Sequence, residues 1–264
     1  MTETGAMTLP GLKGRRIAVT AAGSGIGLCI ARALAAQGAR LAICDVDQEA
    51  LERAAAELGA EIASRTDVSD DAAVDAFFDT IEDGMGGLDG LVNNAGIAGP
   101  TSSVEDISPE DWRACVEVCL TGQFLCTRRA VPMLKAAGGG AIVNISSAAG
   151  RFGYAYRTPY AAAKWGVIGF TQSLAKELGP DNIRVNAILP GVIAGDRIER
   201  VIAARAEQAG VSHEEMTAEY VARVSLRRMT PPEDVADMAA FLLSEKGRNL
   251  SGQSFPVDGN LESL

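Results

Sequence analysis

The 264 residues are 47% hydrophobic, enough to bury a sizeable core in one large α/β domain or two small ones. No uninterrupted apolar run reaches the roughly 18 residues that a membrane-spanning helix needs. With 24 Lys and Arg against 34 Asp and Glu the formal net charge is −10, and the basic residues are scattered, which argues against nucleic acid or an anionic membrane as partner.

In chain order, Met1 to Pro10 show no basic region followed by an apolar core, so the reading is no secretory signal, a cytoplasmic protein and a flexible tail over residues 1–12. Beyond it, short β-branched or apolar runs alternate with longer helical patterns. Strands are expected at Arg16–Thr20, Arg40–Asp45, Glu61–Thr66, Leu88–Asn93, Ala141–Ser146, Arg184–Leu189 and Ser254–Val257. That rhythm predicts an α/β fold of Rossmann type, a doubly wound, seven-stranded parallel sheet flanked by helices on both faces. No linker, repeat or low-complexity tract divides it, so residues 1–264 read as a single dinucleotide-binding and catalytic domain.

Residues 193–229 break the rhythm. They form a charged helical insertion (Asp196, Arg197, Glu199, Arg200, Arg205, Glu207) before a helix that begins near Pro231. Ligands of such sheets bind outside the carboxyl ends of the strands, so the insertion is either a substrate lid or a solvated pair of surface helices. The five cysteines include no Cys-x-x-Cys pair, and His213 is the only histidine. Reduced, mostly buried thiols and no metal site are expected.

Three local patterns carry chemistry. Thr20-Ala21-Ala22-Gly23-Ser24-Gly25-Ile26-Gly27 follows the first strand and opens a helix, where glycines let backbone approach a pyrophosphate and the helix terminus supplies free N–H groups. Asp45 ends the second strand 18 residues after Gly27, the place of an acid that accepts both ribose hydroxyls and repels a 2′-phosphate. Neither Ser24 nor Val46 offers a cation for NADP, so NAD is favoured; the bland alternative makes Asp45 a helix N-cap. Finally, Tyr160 and Lys164 stand one helical turn apart, so the ammonium can favour the phenolate and make Tyr160 a proton shuttle near neutral pH.

Together these residues resemble the short-chain dehydrogenase/reductase family over nearly the whole chain. Asn93-Asn94-Ala95-Gly96, Asn144-Ile145-Ser146-Ser147, Arg184-Val185-Asn186, Pro190-Gly191 and Val257-Asp258-Gly259 fall at the matching strand ends. The resemblance implies a catalytic set of Ser147, Tyr160 and Lys164, with Ser147, 13 residues before the tyrosine, holding the reacting oxygen. Ser146 is the weaker candidate, with backbone capping as its role. Lys164 also holds the nicotinamide ribose. The resemblance further implies that Ser24 and Ile26 belong to the pyrophosphate turn, that Asp67 and Val68 meet the adenine, that Asn94 lies on the adenosine ribose side, and that Ile193 meets the carboxamide. Asn186 is expected to be structural.

The implied activity is NAD-dependent interconversion of a secondary alcohol, sugar or hydroxy acid with its ketone, in a homotetramer or dimer. Three residues depart from the family pattern. Cys119 replaces an asparagine that helps hold a water beside the lysine, Ala21 replaces a glycine and is tolerable if its φ is negative, and Gly195 replaces a threonine near the carboxamide. Cys119 gives weight to an alternative, an NAD-binding sensor or scaffold without turnover. The substrate stays open among sugars, hydroxy acids, cyclic alcohols and hydroxyacyl thioesters. Arg151, Arg157 and Tyr154 either meet an anionic or polyhydroxylated substrate or are solvated surface groups.

Overall fold

The computed structural model describes residues 9–264. Seven parallel strands form one sheet: β1 (Arg16–Thr20), β2 (Arg40–Asp45), β3 (Ile62–Arg65), β4 (Gly90–Asn93), β5 (Gly140–Ile145), β6 (Ile183–Pro190) and β7 (Ser254–Val257). Their order, β3-β2-β1-β4-β5-β6-β7, reverses between β1 and β4, and at that switch the connections leave in opposite directions and open a crevice at the carboxyl ends. β3 and β4 are one or two residues shorter than expected, β5 is shifted by one toward the N-terminus, and β6 is one residue longer at each end because Ile183 pairs with Gly140 and Pro190 with Val257.

The alternation of side chains along each strand builds two cores. Ile17 and Val19 of β1, with Leu41 and Ile43 of β2, face α1 (Gly25–Ala36), α2 (Gln48–Leu58) and α9 (Pro232–Leu243). Ala18, Ala42 and Cys44 point the other way, toward α3 (Asp71–Met85), α5 (Gly122–Ala136) and α6 (Thr158–Leu178). Both faces are apolar because both are covered.

Of the expected tail, residues 1–8 lie outside the described residues, and residues 9–12 are packed against the fold. Leu9 and Leu12 are buried in the core of α1 and α9. The Leu9 amide donates to Gln37 Oε1 at 2.8 Å, and Pro10 O accepts from the Glu245 amide at 3.0 Å. Two leucines three apart, each with apolar surface to bury, override the polar look of the segment.

Between α4 (Pro109–Val116) and α5 the helix widens into a π-helical turn, Glu117–Thr121, with Cys119 inside it. The insertion folds into α7 (Asp196–Ala209) and α8 (His213–Ala222), which bury Ile202, Met216 and Tyr220 against Ala148 and Val192. A capping box of Ser212 and Glu215 starts α8. All five cysteines are free thiols. Among the described residues no cluster of His, Cys, Asp or Glu could hold a metal, and no helix is long and apolar enough to cross a membrane.

Candidate active site

Strand ends set the site, because each side chain there extends a residue whose backbone the sheet already holds. At the end of β1, Thr20 Oγ1 accepts from the amides of Asn94 and Ala95 at 2.9 and 3.0 Å. Asn94 Nδ2 donates to the carbonyls of Thr20 and Ala21, both at 3.0 Å, and so ties the end of β4 to the glycine turn. A Cβ on Gly27 would lie 2.1 Å from Ala21 O, so only glycine lets α1 begin this close to the turn. Ala21 itself has φ +50°, not the negative value on which its tolerance depended; the left-handed turn is kept and the alanine carries strain.

Asp45, at the end of β2, accepts from the Gly23 amide at 2.9 Å and the Asp47 amide at 3.0 Å. It is not an N-cap: Asp47 caps α2, accepting from the Ala50 amide. Two backbone donors therefore aim the Asp45 carboxylate at the mouth of the glycine turn. On the neighbouring strand, Arg65 pairs in register with Asp45 and donates through Nε to Val46 O at 3.1 Å, a cation that inspection of Ser24 and Val46 alone had missed. Asp67 is exposed and accepts from the Ser69 amide and hydroxyl; Val68 is buried against Gly122.

A cleft of about 480 Å³ brings Ser24, Ile26, Asn94, Ser147, Tyr160, Lys164 and Ile193 together, lined also by residues of α7 and by Tyr220 of α8. Asp45, Asp67 and Val68 lie outside its lining. Lys164 is buried, and its Nζ donates to Ile145 O at 2.9 Å and stands 5.7 Å from the Tyr160 ring centre. Ser146 donates to Lys164 O at 2.8 Å, a backbone tie. Ser147 Oγ accepts from the Ala149 amide at 3.1 Å and interacts with the Tyr160 hydroxyl. Asn186 links β6 to the loop before β7 through Leu250 O and the Gln253 amide, the structural part expected of it.

Burial pushes the Tyr160 phenol up, but Arg197, Lys164 and the Ser147 hydroxyl outweigh it and hold the phenol below its ordinary range. Arg197 is a larger influence than Lys164 and was not singled out from sequence, since nothing near Tyr160 in the chain signals it. Cys119 is buried, donates to Ile97 O at 3.4 Å, and shares with Lys164 Nζ the space over Gly96. A hydrogen bond from Cys115, with help from the Lys164 charge, pulls the Cys119 thiol below its usual range, while that contact and burial push Cys115 up. Gly195 has φ +135°, where a threonine would be strained, so its presence suits the turn into α7.

Solvation of the expected surface groups is only partial. Arg157 is 3% exposed and lies against the rings of Tyr154 and Tyr160. Arg151 is paired with Asp258 at 3.0 Å, and Tyr154 Oη meets Tyr220 Oη at 2.7 Å.

A family model described as enoyl-(acyl carrier protein) reductase matches residues 20–261. The chain is 35% identical to 2-(S)-hydroxypropyl-CoM dehydrogenase 3 of Xanthobacter autotrophicus, over 96% of this chain and 98% of that one. It is 35% identical to D-beta-hydroxybutyrate dehydrogenase of Cupriavidus necator, over 94% and 98% of the two chains. The solved structure of NAD+-bound xylitol dehydrogenase matches with a TM-score of 0.91 at 31% identity, covering 94% of this chain and 99% of its own. All three are dehydrogenases of hydroxyl-bearing compounds.

Proposed function

The chain belongs to the short-chain dehydrogenase/reductase family, and from that we propose that it interconverts a secondary alcohol, sugar or hydroxy acid with its ketone, using NAD and Tyr160 as acid/base. The observation that carries this reading is the convergence of Tyr160, Lys164 and Ser147 in one cleft, with the phenol held below its ordinary range. The glycine turn fits a dinucleotide, since Gly27 leaves no Cβ to fill the approach and Asp45 is aimed by two amides.

Ser24 and Ile26 would flank the pyrophosphate, Asp45 the adenosine ribose hydroxyls, Asp67 and Val68 the adenine, and Asn94 the ribose side. Ile193 would meet the carboxamide and Lys164 the nicotinamide ribose. When bound, the nicotinamide supplies the hydride acceptor or donor. Tyr160 as phenolate takes the carbinol proton while the Ser147 hydroxyl donates to the same oxygen; in the reverse direction neutral Tyr160 returns the proton. Lys164 keeps the phenolate favoured in a site where burial opposes charge.

The insertion acts as a substrate lid in this reading, supported by α7 and Tyr220 lining the cleft. A homotetramer, or failing that a dimer, is supported by Trp112, Phe124 and Trp165, large apolar side chains exposed on α4, α5 and α6. Five thiols without a disulfide support a reducing, cytoplasmic setting.

The test is a screen at the reduced-nicotinamide absorbance with NAD⁺ and NADP⁺ against sugars, hydroxy acids, cyclic alcohols and hydroxyacyl thioesters. Turnover with NAD⁺ that falls by about 10²–10⁴ in Tyr160→Phe supports the reading. Tight NAD binding with no turnover of any panel member rejects it in favour of a sensor.

A further inference from the structure

This acidic chain, with net charge −10, surrounds its cleft with cations: Arg157, Lys164, Arg197 and Arg200 line it against one acidic side chain, Asp196. Among the described residues none of these four cations forms an ion pair, whereas the nearby Arg151 is neutralised by Asp258. Lys164 has a task in the proton chemistry. Arg157 and Arg200 exceed what that chemistry needs, and Arg197, which also favours the phenolate, has no carboxylate partner of its own.

Arg157 makes the strongest case. It is 3% exposed and packed with its guanidinium 4.9 Å from the Tyr154 ring centre and 4.7 Å from that of Tyr160. One Nη donates to Ala98 O, and the buried Nε has no partner. Two ring faces and a carbonyl only partly offset the cost of burying a guanidinium without a carboxylate. In the first turn of α7, Arg197 places its guanidinium 5.7 Å from the same Tyr160 ring. Its one hydrogen bond, to Gly96 O, is long at 3.3 Å and is readily exchanged for a better acceptor. Arg200 lies one turn further along the same helix face and also lines the cleft.

We infer that the substrate is an anion, a carboxylate or kindred oxyanion whose charged end is clamped between Arg157 and Arg197 while its carbinol oxygen meets Tyr160. This rests on the oxidoreductase reading above. Because both guanidiniums flank the ring of the acid/base itself, the anionic group lies a short carbon chain from the reacting carbon. Of the open substrate classes the geometry selects the hydroxy acids, since a neutral polyol or cyclic alcohol leaves these cations uncompensated.

The experiment pairs a 2-oxo, a 3-oxo and a cyclic 4-oxo acid each with its methyl ester. Reduction is followed with NADH, and binding of the same compounds to the NAD⁺ complex, which cannot reduce them, is followed by calorimetry. For at least one pair the acid is expected to exceed its ester in kcat/KM by about 10- to 100-fold, the worth of charge-assisted hydrogen bonds. In Arg197→Gln that ratio falls to near one, and Arg157→Lys retains more of it than Arg157→Gln. Since Arg157 is packed between two rings, the exposed Arg197 is the decisive position.

Esters reduced as well as acids, or a ratio that Arg197→Gln leaves unmoved, overturn the anion clamp and leave the oxidoreductase reading standing. Acids that bind the NAD⁺ complex and lose affinity in Arg197→Gln, with no pair ever reduced, keep the clamp and reject the oxidoreductase reading. Neither binding nor reduction rejects both.

Discussion

Replacing Asp45 by serine separates its two tasks. In the fold, its carboxylate takes the Gly23 amide at 2.9 Å and the Asp47 amide at 3.0 Å while only 9% exposed. A serine hydroxyl can satisfy one of these donors at most, and leaving the other without an acceptor costs about 1–3 kcal/mol. The melting temperature should fall accordingly. In cofactor choice, two ribose hydroxyls donating to a carboxylate are worth about 1.5–3 kcal/mol each, and a tenfold change is about 1.4 kcal/mol, so the NAD/NADP ratio of kcat/KM should drop by at least about a hundredfold. Arg65, held beside Val46 on the adjacent strand, then becomes available to a 2′-phosphate, and the KM for NADP should fall outright. Initial rates with both cofactors, alongside thermal melts, check this. If turnover with NAD and NADP declines in parallel with stability and the ratio stays put, Asp45 is only a tie for the turn and the cofactor argument fails.

Oxidation needs the Tyr160 phenolate, which the Arg197 charge favours, so in Arg197→Gln the rise of kcat/KM with pH should move to more alkaline pH. An unmoved pH profile would mean that Arg197 does not reach the phenol in solution. Ala21→Gly relieves a left-handed alanine, worth about 1–2 kcal/mol, against about 0.5–1 kcal/mol for the added freedom of glycine in the unfolded chain. A net gain of roughly 0.5–1 kcal/mol should therefore show in denaturant unfolding, and a loss would show that the methyl packs more tightly than its backbone is strained.

What the sequence determined by itself was everything that spacing along one element decides. Short apolar runs alternating with helical patterns made the seven-stranded sheet legible, and along β1 successive side chains then go to opposite cores, Ile17 and Val19 to one and Ala18 to the other. The glycine turn and the Tyr160–Lys164 pair were legible because each sits at a strand end or at a fixed offset on a helix, while Ser147 came only through the resemblance to the family. Tertiary structure alone decided the rest. Leu9 and Leu12 dock on α1 and α9 because their apolar surface finds a core assembled from distant segments. The backbone of Ala21 turns left-handed because carbonyls near it must meet Asn94 Nδ2, 73 residues on. Arg151 is neutralised by Asp258, 107 residues away, while Arg157 goes without a carboxylate and Arg197 reaches Tyr160 from α7, 37 residues on in the chain. Periodicity states which face a side chain takes, and only the folded chain states which charge it will find there.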